Sequence, residues 1–422
     1  MGLDITPAES QLASPTLDYA DPAMASPPRT LSRTTLWIMS AACGATVANT
    51  YYNQPLLGDF ANYFHATEAR TGLVATAAQV GYGTGLFFLV PLGDLIERRR
   101  LVIVMAWLCA ALLAVVALSP TLWSLIGLTF VVGIVAVGSQ ILIPLGLDLT
   151  PPDRRGNTVG VLMTGVLVGI LLARTVAGFL GDAFGWRVTY GMASVVMVID
   201  GFVLLAALPH HPPSLRMSYG RLMHSMIDLL KAHRPLWTAS IVSGLSFAGF
   251  MAFWTALSYL MKDQFGLGAS AAGLFGIVGV VGALAAPLAG KLSDKRGPAF
   301  TVTLSLAASA VAFGVMWGWV TIPGLIVGVL LMDVGVQSIQ VASQSEVISL
   351  VPAARSRVNT LYMVARFMGG AAGSAIGAAA WDRFKWPGVC GASIAMVAVA
   401  AGIHLAQEHK NRERPGGVGA SL

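Results

Sequence analysis

The chain has 422 residues, of which 55% are hydrophobic and only 11% charged, and its mean hydropathy is +0.72. A soluble domain carries about 25% charged residues, so the composition excludes a disordered chain, a coiled coil and an ordinary soluble enzyme. The 47 Gly and 21 Pro fit a polytopic helical membrane protein, and the net charge of +6 takes its meaning from where the basic residues fall.

Residues 1–34 are rich in Pro, Ser and Ala and lack the basic start, apolar core and cleavage site of a signal peptide. They read as a disordered cytoplasmic tail. A helix needs about 20 apolar residues to cross the hydrocarbon core. That ruler predicts twelve spans, at roughly 35–57, 71–92, 101–118, 121–147, 158–181, 188–208, 236–261, 269–290, 299–319, 321–348, 358–381 and 387–407. Pro120 separates the third from the fourth. Helices are the option left open, because backbone groups in lipid must be paired within the segment. Residues 209–235 interrupt the series. They begin with Pro209, His210, His211, Pro212 and Pro213, then place Met223, Met226, Ile227 and Leu230 at helical spacing. This reads as a cytoplasmic linker with an amphipathic helix, lying on the leaflet or packed on the spans. His210 and His211 read as solvated linker residues, not metal ligands. Residues 408–422 read as a second cytoplasmic tail.

The chain repeats itself at an offset of 200. Asp94 matches Asp294, Gln140 matches Gln340, Pro152 matches Pro352 and Arg155 matches Arg355. Asp182, Phe184 and Trp186 match Asp382, Phe384 and Trp386. Each match falls at the same place among its six spans. The expected fold is therefore all-α, with twelve transmembrane helices in two pseudo-symmetric six-helix bundles, 35–208 and 236–407. Such repeats belong to transporters that rock one half against the other around a midplane site.

Lys and Arg set the orientation. Of the 26, nineteen fall on the tails and loops of one side, five on the other, and Arg174 and Arg366 lie inside spans. Both termini should be cytoplasmic. The basic excess is topological, so no nucleic-acid partner is expected. Cys43, Cys109 and Cys390 sit in apolar runs without a C-x-x-C, which reads as packing and supports neither a disulfide framework nor a metal site. Gly165, Gly169 and Gly178 on the fifth span, with Gly369, Gly370 and Gly373 on the eleventh, make small-residue faces for close helix approach.

After the second span comes Pro91-Leu-Gly-Asp94-Leu-Ile-Glu97-Arg98-Arg99-Arg100, and after the eighth Gly290-Lys-Leu-Ser-Asp294-Lys295-Arg296-Gly297. The second resembles the Gly-x-Leu-x-Asp-Arg-x-Gly signature of the major facilitator superfamily. The first is a degraded copy, with Val90 and Glu97 where the signature has glycine. A carboxylate at a helix end can bridge to basic residues and helix ends of the neighbouring bundle, which makes Asp94, Arg98, Arg99, Asp294, Lys295 and Arg296 candidates for a cytoplasmic gate. A narrower resemblance, to bacterial twelve-span drug and metabolite efflux proteins, lies in Ala48–Leu57, in Leu172-Ala173-Arg174 with Gly185-Trp186-Arg187, and in Asp333-Val-Gly-Val-Gln337. The resemblance implies proton-driven antiport of a small organic molecule by one chain in the inner membrane. Two positions depart from the family pattern: Thr129 stands near the place of a fourth-span arginine, and Ile170 follows Gly169 where Gly-Pro is usual. They leave uptake by proton symport as the alternative.

Ionisable residues inside spans are costly, about 2.5–3.5 kcal/mol at mid-helix on insertion scales, and default to function. Asp333 is the expected proton-coupling residue, since the architecture implies that the tenth span lines the cavity. Gln337, Gln340 and Gln344 follow at i+4, i+7 and i+11, giving that helix one polar face. Arg174 and Arg366 are the expected counter-charges, or members of a static buried ion pair with it. Asp200, on the sixth span, reads as lying outside the cavity, and Asp148 and Glu346 as snorkelling at span ends. Substrate binding is expected from Asn49, Tyr51, Tyr52 and Gln54, from Gln79 and Gln140, from Phe250, Trp254 and Tyr259, and from Gln337, Gln340 and Gln344. For Tyr51 and Tyr52, interface anchoring is an equal reading.

An ATP-driven pump is not expected, because Gly290-Lys291-Leu292 lacks the Ser/Thr of a phosphate loop. A membrane enzyme is not expected either, in the absence of a His-Glu-x-x-His or Gly-x-Ser-x-Gly motif. No cofactor is implied, and a receptor would leave the repeat unexplained.

Overall fold

A computed structural model describes residues 31–210, 218–283, 286–351 and 354–413. The two expected tails, 1–34 and 408–422, fall for the most part outside the described residues, as does His211. Among the described residues the chain is helical without a strand. The N-terminal group comprises α1 (Arg33–Ala48), α2 (Asn53–Tyr63), α3 (Glu68–Phe88), α4 (Leu92–Leu95), α5 (Arg98–Ala117), α6 (Leu122–Val135), α7 (Gly138–Asp148), α8 (Arg155–Phe184) and α9 (Trp186–Ala207). The linker holds α10 (Tyr219–Ala232). The C-terminal group comprises α11 (Arg234–Phe265), α12 (Ala269–Ala283), α13 (Ala286–Arg296), α14 (Pro298–Gly318), α15 (Ile322–Leu350) and α16 (Arg355–Glu413).

Among the described residues, nine helical stretches are long and apolar enough to cross a bilayer. They do not map one to one onto the expected spans. The first span is built from α1 and α2, which part at Asn49–Tyr52, where Pro55 withholds a backbone donor. The eighth is built from α12 and α13. The eleventh and twelfth run together as α16, broken by one non-helical residue, Lys385, with φ 52° and ψ −148°.

That break reveals the repeat in the backbone. Gly185, 200 residues earlier, parts α8 from α9 with φ 83°. Thr121 and Thr321 cap α6 and α15 alike, each hydroxyl accepting the backbone N–H three residues on. A Cβ on Gly44 would fall 2.6 Å from Gly165 O and 3.4 Å from Gly169 Cα; one on Gly244 would fall 3.2 Å from Ala365 O and 3.8 Å from Gly369 Cα. The same glycine crossing thus joins the first to the fifth span and the seventh to the eleventh, and lets backbones touch where lipid offers no hydrophobic drive. The loop motif is where the halves diverge. Gly297 has φ 85°, which favours glycine, whereas Glu97 sits at φ −60°, which any residue adopts.

Within the groups, α1 lies on α8 and α5 on α9, while α11 lies on α16 and α14 on α15. Between the groups, α3 packs on α16, α8 on α12 and α2 on α11. The amphipathic α10 buries Leu222 and Met226. It ties to both groups, Tyr219 donating to Phe88 O at 2.9 Å and Ser225 accepting from Arg357 at 2.8 Å. Cys43, Cys109 and Cys390 are free thiols buried in the core.

Candidate functional site

A cavity of about 340 Å³ lies between the two groups of helices. Each group contributes four of the expected spans to its wall. From the N-terminal group come Val47 and Tyr51, Tyr82, Gln140, and the α8 stripe Met163, Val166, Ile170 and Arg174. The stripe advances by three or four residues, as one face of a helix must. From the C-terminal group come Phe247 and Phe250, Gly276 and Gly279, the polar face of α15, and Met363, Arg366 and Phe367 of α16. Asp333, Gln337, Gln340 and Gln344 all line the cavity, and so does Gln140, the repeat partner of Gln340, which donates to Tyr82 Oη at 3.4 Å.

One Asp and two Arg side chains line it among the described residues, and all are buried: Arg174 is 5% exposed, Asp333 4% and Arg366 3%. Arg174 donates through Nε to Gln54 Oε1 at 2.7 Å. Its guanidinium lies 3.8 Å from the Trp254 ring centroid and 5.0 Å from that of Tyr51. Arg366 donates to Ser243 Oγ at 2.9 Å and stacks 4.2 Å over Phe247. The Tyr362 hydroxyl donates to the same Ser243 oxygen at 2.8 Å. Among the described residues, Arg174 Nη2 and Asp333 Oδ2 have no hydrogen-bond partner, and no ion pair joins Asp333 to either arginine. The static ion pair that the sequence allows is therefore not formed in this conformation. Asp333 instead lies against Gly279: a Cβ there would fall 3.2 Å from Asp333 Oδ2 and 3.6 Å from Trp254 Cζ2.

The remaining candidates take other positions. Gln54 and Trp254 stand behind the wall and hold Arg174. Asn49 donates to Ala45 O and Thr46 O of its own helix. Tyr52 and Gln79 are buried and do not line this cavity. Tyr259 lies toward the far end of α11, hydrogen-bonded to Thr71 Oγ1 at 2.8 Å and donating to Glu68 O at 3.1 Å. Asp200, on α9, does not line the cavity either. The sequence reading did not single out Tyr82, Phe247 or Phe367, although each had a local signal. Tyr82 follows Gln79 by three residues, Phe247 precedes Phe250 by three, and Phe367 adjoins Arg366.

The gate candidates divide. Arg98 donates to Asp94 Oδ1 at 2.7 Å, to Asp148 Oδ2 at 2.5 Å and to Gly93 O at 3.0 Å. All of these lie in the N-terminal group. Arg99 bonds His210 and Leu205 O, and His210 pairs with Glu97 at 2.7 Å. Asp294, Lys295 and Arg296 are exposed, with Arg296 lying 5.1 Å over Phe300. The contact across the halves that the loop motif suggests is not made by Asp94 here.

Polar contacts between the groups cluster at the opposite end. Asp182 accepts the backbone N–H groups of Ala269 and Ser270, each at 2.8 Å. Lys262 donates to Asn62, Thr175 donates to Gly273 O at 3.2 Å, and Lys385 lies 3.9 Å from Glu68. The two groups are closed there, and the cavity extends the other way, toward the basic loops, through Gln344 and Met163.

A family model described as Major Facilitator Superfamily matches residues 36–374 and 236–420. The uncharacterized transporter YgaY of Escherichia coli O157:H7 is 40% identical over 378 residues, covering 89% of this chain and 96% of its own. The inner membrane transport protein YnfM of Escherichia coli strain K12 is 25% identical over 388 residues, covering 87% and 88%. Among solved structures, a bacterial homolog to the human lysosomal transporter Spinster, inward-facing and unoccupied, superimposes with a TM-score of 0.73. It has 15% identity and covers 91% of this chain and 98% of its own.

Proposed function

Because the chain belongs to the Major Facilitator Superfamily of membrane transporters, we propose that it carries a small organic molecule by alternating access, driven by protons. The reading places twelve crossings in two six-helix halves, 35–208 and 236–407, in the bacterial inner membrane with both termini cytoplasmic. The basic loops at the end toward which the cavity extends support that orientation, and the name of the relative YnfM supports that membrane. No metal or cofactor enters the reading, and one chain suffices for it.

One observation carries it. A cavity lined by both groups is closed by inter-group contacts at one end and extends toward the other. Its lining includes Asp333, a buried carboxylate held in no ion pair among the described residues. A carboxyl group takes up a proton on one side and gives it up on the other when its access alternates, which is the property that coupling needs. Asp333 is the proton carrier, Arg174 and Arg366 set the local field, and Tyr51, Gln140, Gln337, Gln340 and Gln344 contact the substrate. Export in exchange for protons is the leading direction. A second reading, uptake with a proton, is favoured by two guanidiniums in the same cavity as Asp333, because that cavity can hold a proton and an anion together.

Proteoliposomes test the reading. Wild-type chain should move protons when a transported compound is supplied, and Asp333→Asn should lose that movement while remaining inserted and folded. Unchanged proton movement in the variant removes Asp333 from coupling. The sign of flux under an imposed proton gradient separates export from uptake.

A further inference from the structure

We infer that the transported molecule is an amphiphilic organic anion, with one acidic group on a planar apolar body. The inference rests on the transporter reading and adds the substrate's charge and shape.

The charge follows from the cavity's own inventory. Two guanidiniums and one carboxylate line it, so the site is cationic whether Asp333 is ionised or protonated. A cationic ligand meets repulsion from both arginines and attraction only from an ionised Asp333. An anion meets attraction in either state. Neutralisation from within is incomplete: one carboxylate stands against two guanidiniums, and no ion pair joins Asp333 to Arg174 or Arg366 among the described residues.

Arg174 supplies a second, independent observation. Its Nε is taken by Gln54 and its face by Trp254, which fixes the plane of the guanidinium. Its Nη2, buried with the rest of the side chain, has no partner among the described residues. Buried donors are nearly always satisfied, so this one, on a residue that lines the cavity, leaves the guanidinium short of an acceptor. A preoriented guanidinium suits a carboxylate or similar oxyanion better than a neutral carbonyl.

The body follows from the rings. Phe247 and Phe250 stack with centroids 5.5 Å apart and planes 17° apart, and Phe367 packs directly on Tyr82 with centroids 4.4 Å apart, so the wall carries two pairs of rings. These faces suit a flat apolar ligand. The glutamines of α15 are neutral and do not discriminate the sign of charge.

Three probes with one ring system decide the matter: 2-naphthoate, 2-naphthylmethylammonium and 2-naphthalenemethanol. Binding to the purified full chain in nanodiscs at pH 7 should favour naphthoate over the ammonium by at least about tenfold, the scale of one hydrogen bond to a charged group. Arg174→Gln and Arg366→Gln should each weaken naphthoate by about tenfold while leaving the alcohol nearly unchanged. Arg174→Lys should recover part of the loss, and thermal melting should report that each variant is folded. Equal or tighter binding of the ammonium, unchanged naphthoate binding in both glutamine variants, or no binding of any probe overturns the inference. The transporter reading fails separately: a Phe250→Cys variant that impermeant thiol reagents never reach from outside would sink alternating access without touching the binding result.

Discussion

The carboxylate of Asp182, at the end of α8, accepts the backbone N–H groups of Ala269 and Ser270, the first two residues of α12. A residue of one half thus caps a helix of the other. A helix N-terminus presents unpaired N–H groups and a positive dipole end, which a carboxylate satisfies. The pairing uses no flexible side chain on the α12 side. In the proposed cycle it would act as a latch on the closed end of the cavity.

Asp182→Ala should therefore shift the protein toward the conformation open at that end. Loss of a helix cap costs about 0.5–2 kcal/mol, so the population should shift by roughly two- to thirtyfold. Labelling of a cysteine at Phe250 by an impermeant maleimide added from outside measures it. Asp182→Asn, which keeps one acceptor, should fall between. Equal labelling in Asp182→Ala and the parent would show that the other contacts hold that end alone.

Gly169→Val and Gly369→Val should both prevent stable packing. A Cβ at either position would overlap the backbone of Gly44 or Gly244, and backbone cannot move aside as a side chain can. Thermal melting and yield in detergent should drop sharply in both. Gly127→Ala, where nothing lies within 4 Å, should leave both unchanged. A normal melting curve for only one of the two valine variants would show that the halves do not share this crossing.

Arg98→Gln should destabilise the N-terminal group, because Asp94 and Asp148 then face each other without their shared cation. Asp148 is partly exposed, so the cost is that of a partly screened pair, about 1–2 kcal/mol. It should appear as a melting point lowered by a few degrees. Adding Asp94→Asn should recover most of the loss. Further loss in the double variant would place the role of Arg98 in its bond to Gly93 O instead.

Much of this molecule is written in local sequence. Hydropathy over 20 residues gives the membrane helices, because each must bury its apolar surface and pair its own backbone. The offset of 200 gives the repeat, and the backbone bears it out at Gly185 and Lys385, at Thr121 and Thr321, and in the glycine crossings. Spacing alone put Asp333, Gln337, Gln340 and Gln344 on one face, because helical periodicity is a property of the single segment. Lateral partners are not. That Gln54 and Trp254 hold Arg174 while Asn49 turns back on its own helix depends on which faces α1, α8 and α11 present to one another. The end at which the halves close was beyond sequence as well. Asp94 and Asp182 are both carboxylates at span ends with a repeat partner, yet here only Asp182 reaches across. The relative placement of two rigid bundles decides that, and no single segment encodes it.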